Sequence, residues 1–138
     1  MVMPDFWGRR IKRHGSMLTR HCWGCKKDVP LNIGALIGCG VTTGVGAVMN
    51  TAEIEEGSTV AVLGCGGVGL SVIQGAKLAG AKTIIAIDLS EKKLEMAKKF
   101  GATDAVLSDE NTVKAVKGLT GGVGADYAFE VIGIPKVM

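Results

Sequence analysis

The sequence predicts an α/β fold, a doubly wound parallel sheet truncated to about four strands. Three observations predict it. Short β-branched apolar runs, TVAVL at 59–63 and TIIAI at 83–87, alternate with segments of helical spacing. These runs are apolar throughout rather than alternating, as strands buried on both faces are. Aromatic residues make up only 4% of the 138 residues while glycines number 21, which suits helices packed closely on a sheet.

Each element follows in order. Residues 1–27 show neither a helical nor a strand period, and Phe6, Trp7 and Trp23 sit among charges, so this stretch reads as an irregular basic arm. From residue 28 to 138 the pattern is that of a partial nucleotide-binding domain. Leu31 to Ile37 predicts a short helix and Val41 to Thr51 a longer one after Gly40. Thr59 to Leu63 is a buried strand. Val68 to Ala79 is a helix stopped by Gly80, and Thr83 to Ile87 is the next strand. Ser90 is placed to cap a helix over Glu91 to Phe100, with Leu94 and Ala97 at helical spacing and Gly101 as its stop. A short strand at Asp104 to Leu107, a helix at Thr112 to Leu119 and a strand at Asp126 to Ile132 complete the series. Strands and helices alternating at this spacing give parallel crossovers, and a complete fold of this kind has six strands in two halves.

Charge and cysteine content bound the function. The net charge is +3, but residues 1–27 hold seven Lys/Arg against one acid, so the body is mildly acidic. The basic run Arg9 to Arg13 reads as a solvated tail, and neither nucleic acid nor a membrane is expected as a partner. No run of 18 uninterrupted apolar residues is present, and no apolar segment follows the N-terminal charges as in a secretory leader. Four scattered cysteines without such a leader read as reduced thiols in a cytoplasmic protein.

Two glycine clusters compete for a phosphate-binding role. In VLGCGGVGL (62–70), Gly64-x-Gly66-x-x-Gly69 follows a strand and opens a helix, the context that a dinucleotide fingerprint demands. Gly64 permits the tight turn, Gly66 lets the backbone approach a pyrophosphate, and Gly69 lets helix and strand pack closely. The positive helix end faces the anion. Asp88 stands nineteen residues past Gly69, placed to accept hydrogen bonds from the adenosine ribose and to repel a 2′-phosphate. At 4 Å and an effective dielectric near 20 that repulsion is roughly 4 kcal/mol per unit charge, so the sequence predicts NAD rather than NADP. In LIGCGVTTGVGAV (36–48), no strand precedes and Leu63 stands where an acid is needed. There Gly40, Gly44 and Ala47 read as small residues for close helix packing.

The stretch GALIGCGVTTGVGAVMNTAEIEEGSTVAVLGCGGVGLSVIQGAKLAGAKTIIAID, with GGVGAD at 121–126 and FEVIG at 129–133, resembles the zinc-dependent alcohol dehydrogenases of the medium-chain dehydrogenase/reductase superfamily. The resemblance runs from about Asp28 to Ile134 and implies their coenzyme-binding, Rossmann-like domain. It implies Cys39 as a ligand of a catalytic zinc, Thr43 as a catalytic residue beside the nicotinamide, Val68 against the nicotinamide ring and Lys93 at the adenosine ribose. Gly64, Cys65, Gly66, Gly67, Val68, Gly69, Asp88 and Lys93 are thus the candidate coenzyme-binding set, with Cys65 a small filler at a variable position.

The site is incomplete in this sequence. A catalytic zinc needs three protein ligands, and the resemblance supplies only Cys39. His21, Cys22 and Cys25 in HCWGC could complete it on paper; unligated thiols are the simpler reading. The expected function is therefore the NAD-binding part of a zinc alcohol dehydrogenase, moving hydride between a small alcohol or aldehyde and NAD. The alternatives are a module that binds NAD or ADP-ribose without catalysis, and a vestigial fragment. The last strand would be an exposed sheet edge, so self-association is expected.

Overall fold

A computed structural model describes residues 29–133. The arm, and with it His21, Cys22, Cys25 and the basic run, lies outside the described residues. The described residues fall in two units that divide after Gly38. In the first, the described residues form helix α1 (Leu31–Leu36), which starts after Pro30, a residue whose missing N–H is no loss at a helix start.

The second unit carries the sheet. Its helix α2 (Thr42–Gly46) lies between wide π-helical turns at Ile37–Val41 and Ala47–Ala52. Then follow β1 (Thr59–Leu63), α3 (Gly67–Leu78), β2 (Thr83–Asp88), α4 (Glu91–Phe100), β3 (Asp104–Leu107), α5 (Thr112–Leu119) and β4 (Tyr127–Glu130). The strands form one sheet in the order β3-β2-β1-β4. All its ladders are parallel, with Val62 opposite Ala86 and Phe129, and Ala86 opposite Ala105.

The uninterrupted apolar runs are explained by burial on both faces. Val60, Val62, Ile84 and Ala86 face one side, where Val72, Ile73 and Ala76 of α3 and Leu94 and Ala97 of α4 pack on them. Ala61, Ile85 and Ile87 face the other, against Leu63, Val106, Val116 and Ala125. Neighbouring residues on one strand thus serve two core layers, so neither layer leaves a polar alternation in the sequence.

Several local expectations need correction. Glycines 38 and 40 do not separate two helices; the chain passes through them in a wide π-helical turn. Ser90 occupies the cap position of α4, but its side chain makes no cap hydrogen bond; instead its N–H donates to Asp88 Oδ1 at 3.0 Å. β4 stops at Glu130 rather than Ile132, because Glu130 Oε1 accepts the N–H groups of Ile132 (2.7 Å) and Gly133 (2.8 Å) and curls the chain off the ladder. The helix stops hold. Gly80 and Gly101 have φ of +82° and +126°, the positive values glycine tolerates.

Residues 32–52 are long and apolar enough, by length and composition, to cross a membrane, with mean hydropathy 1.5. Isoleucine, leucine and valine carry that value among glycines, threonines and two asparagines, so no uninterrupted apolar run marks the segment in the sequence.

Candidate functional site

The carboxyl ends of β1 and β2 meet at the glycine turn. Leu63 ends β1, and Gly64 turns the chain with φ +99°, a conformation open to glycine at little cost. A Cβ at Gly64 would lie 2.7 Å from Ile132 Cγ1, and one on Gly69 would collide with the Gly64 carbonyl. The first and third fingerprint glycines are therefore required by packing. A Cβ on Gly66 or Gly67 would meet nothing within 4 Å, and both residues are exposed. Nothing inside the described fold needs glycine there; a molecule approaching from outside would.

Hydrogen bonds divide the turn. The Gly64 N–H donates to the Ile87 carbonyl at 2.8 Å, and the Cys65 N–H donates to Asp88 Oδ2 at 2.8 Å. The amides of these two residues are thus used inside the protein. The N–H groups of Gly66, Gly67, Val68 and Gly69 have no acceptor among the described residues. Gly66 caps α3 without a side chain, and the first turn of α3 contains no acid. A twelve-residue helix thus presents orphan donors and its positive end with no acid in its own first turn.

Asp88 stands beside this end. It closes β2 and is 8% exposed. Burial pushes its carboxyl up, but N–H donation from Cys65 and Ser90, with Lys93 nearby, outweighs that and holds it below the usual carboxylate value. Lys93 Nζ lies 3.7 Å from Oδ2 on an exposed side chain, so the pair is a weak surface contact. The backbone N–H groups of Cys65, Ser90 and Leu89 act on the carboxylate, and Lys93 approaches Oδ2, so at most about one of its roughly four acceptor positions is left for a hydroxyl.

Cys65 is buried, and its thiol donates weakly to the Ile87 carbonyl at 3.8 Å. Burial first, and the charge of Asp88 second, push the thiol up to about 11. It is a protonated core side chain at neutral pH.

The second glycine cluster crosses the same helix. A Cβ on Gly44 would sit 2.6 Å from Val68 O and Ser71 Cβ, and one on Gly75 would sit 3.2 Å from Val45 Cα. The segment carrying Thr43 therefore passes over the first turn of α3, beside half-buried Val68. Gly44 has its expected packing role. Gly40 does not, since its Cβ would meet nothing within 4 Å; Gly75 takes that part and the spacing of the cluster did not reveal it. Thr43 and Cys39 are exposed. Among the described residues no three His, Cys, Asp or Glu side chains come together as a metal site.

Two exposed apolar residues at this end had no site role in the sequence reading. Leu89, 80% exposed, follows Asp88, and Ile132, 42% exposed, follows β4. Both sit past the carboxyl ends of strands, where a parallel sheet binds ligands. The signal for Leu89 was an apolar residue directly after a strand-end acid. A cleft of about 450 Å³ lined by Glu55, Glu56, Ser58, Asp126 and Tyr127 opens at the other, amino end of β1 and β4, and Asp126 there is engaged by the Thr59 N–H at 2.7 Å.

The chain is similar to known proteins in sequence and fold. The family described as "Zinc-binding dehydrogenase" matches residues 67–138. The probable S-(hydroxymethyl)glutathione dehydrogenase 1 of Schizosaccharomyces pombe is 54% identical over 156 aligned positions, covering 99% of this chain and 40% of that protein. The S-(hydroxymethyl)glutathione dehydrogenase of Saccharomyces cerevisiae is 50% identical, covering 79% of this chain and 30% of its own length. The crystal structure of benzyl alcohol dehydrogenase from Acinetobacter calcoaceticus superposes with a TM-score of 0.76 at 40% identity, over 82% of this chain and 31% of that one. The chain thus spans about three- to four-tenths of the relatives it matches.

Proposed function

The chain belongs to the zinc-binding dehydrogenase family, its matching part being the coenzyme-binding portion of zinc-dependent alcohol dehydrogenases, and from that premise we propose that it binds NAD at the carboxyl ends of β1 and β2. One observation carries the reading: four consecutive amides, Gly66 to Gly69, lack acceptors among the described residues and follow directly on Cys65, whose N–H is bonded to the buried carboxylate of Asp88. The amides and the positive end of α3 hold the diphosphate. Asp88 accepts the adenosine ribose hydroxyls and Lys93 approaches the same sugar. Leu89 and Ile132 offer apolar surface to the adenine. Thr43 and Val68 border the nicotinamide. Asp88 is ionised at neutral pH, so it opposes a 2′-phosphate and favours NAD over NADP.

Bound NAD supplies the carbon that takes or gives a hydride. The reaction assigned to the site is hydride transfer between a small alcohol or aldehyde and NAD. The described residues do not by themselves fit a catalytic zinc: Cys39 is one ligand of the three required. A second reading is a module that binds NAD or ADP-ribose without turnover. In either reading the expected compartment is the cytoplasm, where Cys39 and Cys65 stay reduced.

Calorimetry with NAD, NADP and ADP-ribose tests binding. The reading expects NAD and ADP-ribose to bind and NADP to bind at least tenfold more weakly; equal affinity for NAD and NADP contradicts it. Alcohol-dependent NADH formation with stoichiometric zinc selects the enzyme over the module.

A partner is proposed for the sheet as well. Among the described residues no strand pairs with the outer edge of β4, and such an edge accepts another chain. A second copy is expected there. Light scattering at micromolar concentration should show a dimer or larger species; a cooperatively folded monomer contradicts it.

A further inference from the structure

The glycine turn and Asp88 are linked before any ligand arrives. Gly64 and Cys65, the first two residues after β1, are each fastened to the end of β2, one by the Ile87 carbonyl and one by the Asp88 carboxylate, both at 2.8 Å. Gly66 then leaves in an extended conformation, φ −77° and ψ −169°, and the four acceptor-free amides follow. The Cys65 hydrogen bond fixes the peptide plane on which the direction of Gly66 depends. Around Gly66 and Gly67 there is no packing to do this work, since even an added Cβ there would meet nothing within 4 Å.

We infer that Asp88 is a positioning residue for the diphosphate as well as an acceptor for the ribose: through the Cys65 N–H it holds the amides of Gly66 to Gly69 in their phosphate-ready arrangement. This rests on the coenzyme reading above. A ligand without a sugar therefore feels Asp88. Its charge and its tether act in opposite directions on such a ligand, because a carboxylate repels phosphate while its acceptor oxygen orders the donors that bind it.

Two variants separate the tether from the charge. Asp88→Asn keeps an oxygen able to accept the Cys65 N–H and removes the charge; Asp88→Ala removes both. The probes are inorganic pyrophosphate and ADP-ribose, titrated calorimetrically into the full chain, with amide hydrogen exchange of the ligand-free variants measured alongside. Asp88→Asn is expected to bind pyrophosphate at least as tightly as the wild type. Asp88→Ala is expected to bind it about tenfold more weakly than Asp88→Asn, as loss of a hydrogen bond to a buried acceptor implies, with faster exchange at Cys65 and changed exchange at Gly66 to Gly69. Both variants should lose discrimination against NADP. Equal pyrophosphate affinity in the two variants, or equal exchange across Cys65 to Gly69, overturns the tether. A wild-type chain that fails to bind ADP-ribose contradicts the coenzyme reading instead, and the exchange comparison then still decides the tether.

Discussion

The backbone N–H of Cys65 donates to the carboxylate of Asp88 across 23 residues of sequence, at 2.8 Å, in a buried position. This bond ties the glycine turn after β1 to the end of β2. It places the one buried acid of the described site beside the four amides that have no acceptor of their own. Several consequences are measurable.

The two kinds of fingerprint glycine should respond differently to alanine. Gly69→Ala drives a methyl into the Gly64 carbonyl, so it should destabilise the chain by about 3 kcal/mol, at the upper range for overpacking. Gly66→Ala meets open space and should leave the melting temperature within a few degrees while weakening ADP-ribose binding. Thermal melts and calorimetry on both variants check the contrast. A Gly66→Ala chain that melts like Gly69→Ala contradicts the division of roles.

The two described cysteines should differ in reactivity. Cys39 is exposed and Cys65 is buried with its thiol pushed up to about 11. Iodoacetamide at pH 8 should alkylate Cys39 in the folded chain and reach Cys65 only after denaturation, as peptide mapping by mass spectrometry would show. Bound ADP-ribose should not change this order.

Acid should weaken the fold through Asp88. Its folded value lies below that of the unfolded chain, so its contribution to stability is full above about pH 4, near the unfolded value, and is lost as pH falls through the lowered folded value. Denaturant titrations between pH 5 and pH 2 should show a steeper loss for the wild type than for Asp88→Asn. Parallel slopes would remove Asp88 from the acid response.

Much of this was legible in the sequence because the signals were local. The parallel strands, their order of appearance and the Gly101 stop follow from runs and glycines read within a few residues. The position of Asp88 at the strand end was legible too, since a strand of known start ends at a countable place. Its bond to Cys65 was not, because it joins residues brought together only by the β1–β2 register. The early end of β4 was missed for a similar reason: the competing carboxylate of Glu130 acts on amides that strand propensity had assigned to the ladder. Gly75 was read as an ordinary helical residue because its need for closeness comes from Val45 and Val48 on another helix. Cys39 and Thr43 carry no physical signature of their own. Their roles came from resemblance, and the described structure places them in the open.

The central claim is that the amides of Gly66, Gly67, Val68 and Gly69 receive the diphosphate of a dinucleotide. Backbone amide resonances recorded during titration with ADP-ribose test it most directly. The account predicts saturable shifts concentrated at those four residues and at Asp88, with little change at the Glu55–Ser58 cleft at the other end of the sheet. Shifts centred on that cleft, or none at residues 66–69 at saturating ligand, would contradict it.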